Sequence, residues 1–174
     1  MRTEAHALDS RIREALAGVP DPEIPACSIV DLGMVERVDA TDDDVRVDLL
    51  PTFIGCPAKE IIRDDVEEAV RAVAGDRTVH IRFVYDPPWT TDRITERGKD
   101  ALRSFGISPH WERGPDTVGI PLLMGSGVGC PYCGSADTVT ESAFGPTPCR
   151  TVHFCRSCRN PFEGFKEKQG LTDT

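Results

Sequence analysis

The plainest chemistry in this 174-residue sequence lies in two Cys-x2-Cys pairs, Cys130-Pro131-Tyr132-Cys133 and Cys155-Arg156-Ser157-Cys158. Each pair places two thiolates on one tight turn. Two such turns, 21 residues apart, can converge on a single ion with four sulfur ligands, the arrangement of a structural zinc ribbon. Zinc is the expected ion, and rubredoxin-type iron would accept the same tetrahedral sulfur. Cys149 stands outside both pairs and reads as a loop or interface thiol, with replacement of one ligand as its alternative. His153 reads as a strand residue, with ligation as its alternative.

A second thiol sits in a different setting. Thr52-Phe53-Ile54-Gly55-Cys56-Pro57-Ala58 joins an alternating run, Val45 to Leu50, to a segment with helical apolar spacing, Lys59 to Val73. Strand, tight turn and helix are expected there. That pattern puts Cys56 at the N-cap and Pro57 in the first helical turn, where unpaired N–H groups and the helix dipole would favour thiolate. The plainer alternative is a small apolar filler at a strand–helix junction. Asp21-Pro22-Glu23-Ile24-Pro25 holds two carboxylates on a stiff loop. Asp21 and Glu23 could there bind a metal or a cationic partner, or simply face water.

The elements that must position these groups follow from periodicity. Ala5, Leu8, Ile12, Leu16 and Val19 predict an amphipathic helix ended by Pro20. Ser28 to Ala40 predicts a strand bent near Asp31-Leu32-Gly33. Val45 to Leu50 gives a second strand, and Val79 to Tyr85 a third with His80 on its outward parity. The expected class is α+β: a small αββαβ domain with a mixed or antiparallel three-stranded sheet under helices, over residues 1–106. Trp89 is expected to pack on the sheet, with Thr90 or Thr91 capping a following helix. Residues 107–129, rich in Gly and Pro, read as a linker in which Ile120 to Met124 could dock on the first domain. Residues 130–168 form the ribbon, with strands at 138–141 and 151–154.

Composition narrows the function further. The chain carries a net charge of −9, and the segment from Ser126 onward is neutral, with five acidic and five basic residues. A neutral ribbon beside an acidic domain is a poor phosphate binder, so protein partners are expected in place of nucleic acid. No run reaches the roughly 18 apolar residues of a membrane span, and the first residues lack a secretory signal pattern. A cytoplasmic protein follows as the expectation, and in that compartment seven cysteines favour metal or thiol chemistry over disulfides. A catalytic thiol normally has a base beside it. No Cys–His pair or second Cys-x2-Cys lies around Cys56, which argues against an independent enzyme.

Asp21-Pro22-Glu23-Ile24-Pro25, Ile29-Val30-Asp31-Leu32-Gly33-Met34-Val35 and the Cys56 segment together resemble the metal–sulfur cluster assembly factor family. Adding Trp89-Thr90-Thr91-Asp92, Phe144-Gly145-Pro146-Thr147-Pro148-Cys149-Arg150 and the two cysteine pairs narrows the resemblance. It then points to the PaaD/PaaJ branch that accompanies the bacterial phenylacetyl-CoA epoxidase, also called phenylacetate-CoA oxygenase. The resemblance runs from about Asp21 to Lys166. It implies an accessory maturation factor of aerobic phenylacetate catabolism that aids delivery of an iron–sulfur cluster, or iron, to an oxygenase or reductase component. A stoichiometric scaffold of the oxygenase that moves no metal is the alternative. By position, Asp21 and Glu23 fall on the family's acidic-proline motif, Asp31 on its strand acid and Cys56 on its cysteine, which makes these four the candidates for cluster transfer, and Cys130, Cys133, Cys155 and Cys158 fall on the zinc-ribbon ligands. A [2Fe–2S] cluster needs four ligands, so Cys56 would have to share its cargo across a homodimer or with a client. Two departures stand out: Ile54 where a small polar residue is expected, and Arg93 where an aromatic is usual.

Overall fold

The computed structural model describes residues 2–109 and 128–166, with side chains of the first helix from Ala7 onward. Most of the expected linker, including the Ile120 to Met124 stretch, and the last residues assigned to the ribbon lie outside the described residues. The chain divides into two compact units, residues 1–89 with 93–98 and residues 90–92 with 99–174.

The first unit opens with α1 (Arg2–Ala17), which buries Leu8, Ile12 and Leu16 on one face. Its i, i+4 spacing is what a surface helix needs to cover a sheet. The Asp21-Pro22-Glu23-Ile24-Pro25 stretch was expected to be a plain loop. Instead β1 (Pro20–Asp21) and β2 (Ile24–Ser28) make a small antiparallel pair. Then β3 (Val35–Ala40), β4 (Asp44–Leu49), α2 (Lys59–Ala74) and β5 (Thr78–Phe83) complete the αββαβ order. The sheet runs β3-β4-β5, antiparallel on one side of β4 and parallel on the other, which makes it mixed as expected. A parallel neighbour requires a crossover, and α2 supplies it. Ile62, Val66, Val70 and Ala74 of α2 are buried, together with Val38, Val45, Val47 and Leu49 of the sheet. Each large aliphatic so buried contributes roughly 1.5–3 kcal/mol. His80 lies on the outward, charged face of the sheet, as its parity predicts.

The helix after Trp89 begins later than the sequence suggests. Thr91–Arg93 is one 3-10 turn, and α3 runs from Glu96 to Ser104. Its cap is Thr95, whose Oγ1 accepts the Gly98 N–H at 3.0 Å, in place of the expected Thr90 or Thr91.

The second unit contains a four-stranded sheet in the order β6-β9-β8-β7, with β6 at Ile107–Ser108, β7 at Thr138–Ser142, β8 at Arg150–Cys155 and β9 at Pro161–Phe165. Ile107 and Ser108 were expected to open a linker. They pair in parallel with Glu163 and Gly164, and both are buried. The apolar cluster around the first knuckle is small: Val128, Cys130, Cys155 and Phe162, with Cys158 packed on it.

Candidate metal centre and the Cys56 loop

The two knuckles meet as their spacing predicts. Cys130 Sγ lies 3.6 Å from Cys158 Sγ, and Cys133 Sγ lies 3.6 Å from Cys155 Sγ. All four sulfurs fall within 4.8 Å of one another. A tetrahedral ion with bonds of about 2.3 Å separates its sulfurs by about 3.8 Å, so the donor set fits zinc without rearrangement. Backbone hydrogen bonds shape each turn: Gly134 N–H donates to Cys130 O at 2.9 Å, and Arg159 N–H to Cys155 O at 2.8 Å. Gly134 takes a φ of 71° and Arg159 one of 59°, the left-handed geometry that closes a knuckle. The thiols differ before any metal binds. Burial pushes Cys130 up to about 12, whereas the Asn160 side-chain hydrogen bond holds Cys158 down to about 6.

Neither alternative ligand joins the four. Cys149 is buried beside Thr147, its Sγ 3.1 Å from the Thr147 hydroxyl. His153 is fully buried, stacks on Phe162 with centroids 5.2 Å apart, and has Nε2 at 2.7 Å from Thr151 Oγ1. Desolvation lowers its pKa to about 4, so it stays neutral.

Cys56 does not occupy an N-cap. The helix starts at Lys59 with Ala58 as the cap, and the Cys56 N–H is already used, donating to Phe53 O at 3.1 Å to close a turn. Pro57 and Ala58 form a second turn before the helix, so Cys56 stands ahead of its first turn. The residue is 8 % exposed. Ile54 forms the exposed apex of the same loop, and Lys59 Nζ donates both to Ile54 O at 3.0 Å and to Tyr85 Oη at 3.2 Å. The loop is thereby tied to the chain just beyond β5.

The candidate acids serve backbone geometry. Asp21 is buried, and its Oδ1 accepts the N–H groups of Glu23 and Ile24, both at 2.9 Å, an Asx turn between β1 and β2. Glu23 is half-buried on that turn. Asp31 is buried and saturated. It accepts from Ser28 N and Oγ, from Thr95 Oγ1, and from both Nε and Nη2 of Arg97 at 2.8 Å. Burial alone would raise its pKa; the Arg97 and Ser28 hydrogen bonds outweigh that and hold it below the ordinary carboxylate value. Among the described residues, the four knuckle cysteines are the only close group of three or more metal-ligating side chains. Cys56, Asp21, Glu23 and Asp31 do not form such a group.

Sequence reasoning passed over Cys27. It is buried on β2, with Sγ 3.7 Å from Gly98 O, and burial first, then the charges of Asp31 and Asp21, raise its pKa to about 11. It also passed over the brace behind Asp31. Trp89 Nε1 donates to Leu32 O at 2.7 Å, Arg93 Nε to Gly33 O at 3.0 Å, and Thr95 N to Asp31 O at 2.9 Å. Arg93 also pairs with Glu36, so the departure noted at that position is built into the fold. The only sequence signal for this brace is the pair Gly33 and Gly98. A Cβ at Gly33 would lie 2.2 Å from Arg93 O, and one at Gly98 2.6 Å from Asp31 O.

Comparison with known proteins agrees with this geometry. Residues 9–81 match the family described as iron-sulfur cluster assembly protein, and residues 122–166 match the PaaD zinc beta ribbon domain. The chain is 38 % identical over 151 residues to an Escherichia coli (strain K12) protein described as a candidate component of 1,2-phenylacetyl-CoA epoxidase, covering 87 % of this chain and 88 % of that one. It is 36 % identical over 97 residues to the Fe-S protein maturation auxiliary factor YitW of Bacillus subtilis (strain 168), over 55 % of this chain and 94 % of the relative. Among solved structures, a DUF59 domain from Bacillus anthracis superposes with a TM-score of 0.55 at 28 % identity, covering 59 % of this chain and 97 % of that one. No helix among the described residues is long and apolar enough to cross a membrane.

Proposed function

We infer the function from membership: the chain belongs to the family of iron–sulfur cluster assembly proteins that carry a PaaD-type zinc ribbon. It acts as an accessory maturation factor of a phenylacetyl-CoA epoxidase system in the bacterial cytoplasm, aiding delivery of an iron–sulfur cluster or iron to an oxygenase or reductase component. It is not itself a catalyst. The observation that carries this reading is that the thiols fall into two classes: a closed four-cysteine cluster in one unit and a loop cysteine outside it, Cys56, in the other.

Cys130, Cys133, Cys155 and Cys158 would hold zinc, which supplies cross-linking of the ribbon and no chemistry of transfer. The cargo is handled at Cys56. Its thiolate occupies one iron position, and the client, or a second copy of the chain, supplies the others. Delivery is ligand exchange. A client thiolate forms a new Fe–S bond as the bond to Cys56 breaks, with no change in oxidation state, and Cys56 recovers a proton from solvent. Asp21 and Asp31 keep the β1–β2 turn and the Asp31–Gly33 bend in shape while this occurs. Because Cys56 is buried, loading requires its loop to open, and the Lys59 tie to Ile54 O is the contact that must yield.

That burial also favours a second reading, in which Cys56 only packs and the protein scaffolds its client. Anaerobic reconstitution followed by iron, zinc and acid-labile sulfide analysis separates the two. The carrier reading expects one zinc per chain in wild type and Cys56→Ala, with iron and sulfide present in wild type and absent from the variant. Zinc alone in both proteins leaves the scaffold.

A further inference from the structure

We propose that the β7–β8 loop of the ribbon is a second, separate docking element: Phe144 is an anchor that enters an apolar pocket, rimmed by carboxylates, on a partner protein. Phe144 is 79 % exposed. A phenyl ring left in water forgoes roughly 1.5–3 kcal/mol that burial would supply, and this loop is built to keep it there. Ser142 Oγ accepts the Phe144 N–H at 3.0 Å and donates to Phe144 O at 2.9 Å. Gly145 N–H donates to Arg150 O at 2.9 Å, and a Cβ on Gly145 would lie 3.0 Å from the Arg150 backbone. Arg150 is buried; its Nη1 donates to Glu163 Oε2 at 2.7 Å and its Nε to Thr147 Oγ1 at 3.0 Å. Pro146 and Pro148 fix two further φ angles. These struts are internal to the ribbon, and the ring they present is largely exposed.

Such pre-organisation lowers the ordering cost of association, and rigid aromatic anchors carry much of the energy of protein interfaces. The partner's charge follows from Lys166. Its N–H donates to Cys149 O at 2.8 Å, and its ammonium lies 4.9 Å from the Phe144 ring centroid. A cation beside the anchor selects a pocket edged by Asp or Glu. The lining of this chain's own cleft argues against a second copy as the occupant. A cleft of about 390 Å³ on this chain's own open sheet face is lined by Arg37, Asp39, Arg46, Asp48, His80 and Arg82, a poor receptor for a phenyl ring.

The test places p-benzoylphenylalanine at position 144 of the full chain in living cells of the native host, with the same probe at exposed position 156 as control. The expected result is an adduct specific to position 144, whose partner peptide, mapped by mass spectrometry, combines apolar residues with Asp or Glu. The identified partner, purified, should then bind Phe144→Ala at least tenfold more weakly and Lys166→Glu severalfold more weakly. Both variants should keep one metal per chain and an unchanged melting temperature. Self-adducts alone, labelling no stronger than at position 156, or equal affinity of Phe144→Ala would each overturn the proposal. The cluster-carrier reading is judged separately by Cys56→Ala, which should bind this partner like wild type; a partner outside the epoxidase would count against that reading and leave the docking loop standing.

Discussion

Arg97 reaches back across 66 residues to hold both oxygens of Asp31, its Nε and Nη2 each 2.8 Å from the carboxylate. With Ser28 and Thr95 on the same carboxylate, this closes the Asp31–Gly33 bend onto the segment that follows Trp89. Asp31→Asn should therefore lower stability by about 2 kcal/mol, because buried donors lose their acceptor. Arg97→Ala should cost less, since that side chain is 69 % exposed and water can replace it. Urea unfolding with metal content held constant measures both.

The same carboxylate fixes an acid limit. Its folded pKa lies below the ordinary 3.8, so the unfolded chain binds the proton first as pH falls. The contribution of Asp31 is complete above that value and is lost as pH drops through the lower, folded value. Asp31→Asn should flatten this part of the stability profile, and a profile unchanged by the substitution would remove Asp31 as its origin.

Gly33 and Gly98 should tolerate no side chain. At Gly33 the φ of 65° and a Cβ only 2.2 Å from Arg93 O act together. We expect Gly33→Ala to cost at least about 2 kcal/mol, and Gly98→Ala a comparable amount through the Asp31 carbonyl. Hydrogen exchange should show the loss as faster opening at Leu32, Gly33 and Thr95.

Metal content should follow the four sulfurs and ignore Cys149. Cys158→Ser or a strong chelator should release the ion and unfold β7 to β9, whereas Cys149→Ser should retain one ion per chain. Binding must remove the proton from Cys130, whose pKa is about 12, so titrating the metal-free protein with zinc near pH 7 should release protons. Calorimetry in buffers of different ionisation enthalpy reads that release directly.

His153 gives a pH effect of the same sign through a different cause. Its folded pKa is about 4 against an ordinary 6.5, so between those values the unfolded chain binds the proton and the folded chain does not. Stability should fall as pH drops from 6.5 toward 4, by about 3 kcal/mol in all, from 1.36 kcal/mol per pKa unit. His153→Gln keeps hydrogen-bonding capacity toward Thr151 but cannot titrate. Its profile, compared with wild type at equal zinc content, separates this effect from acid release of the metal.

The parts of this molecule that the sequence made legible are those set by local spacing. The αββαβ order follows from runs such as Val45-Arg46-Val47 and from the helical repeat of Ile62, Val66 and Val70. The ribbon follows from two short cysteine intervals. What stayed hidden depends on partners far along the chain. Asp31 reads as an available acid until Arg97 is brought to it, and Ile107-Ser108 reads as linker until β9 arrives beside it. Cys56 was placed at a cap because Pro57 favours a first helical turn; the structure spends Pro57 and Ala58 on a further turn first. Cys27 carries no motif, and only burial between two carboxylates marks it.

The parallel pairing of β6 with β9 has a consequence for synthesis. Every strand of the first unit ends by Phe83, so its sheet can assemble while the cysteine knuckles are still being translated. The second unit cannot do this. Ile107 and Ser108 must wait for Glu163 and Gly164, and the first pair of sulfurs must wait for the second. A nascent chain arrested between the knuckles would therefore carry a finished Cys56 domain and an open, metal-hungry pair of thiols. The second unit can therefore close only after its last strand and its second cysteine pair have been made.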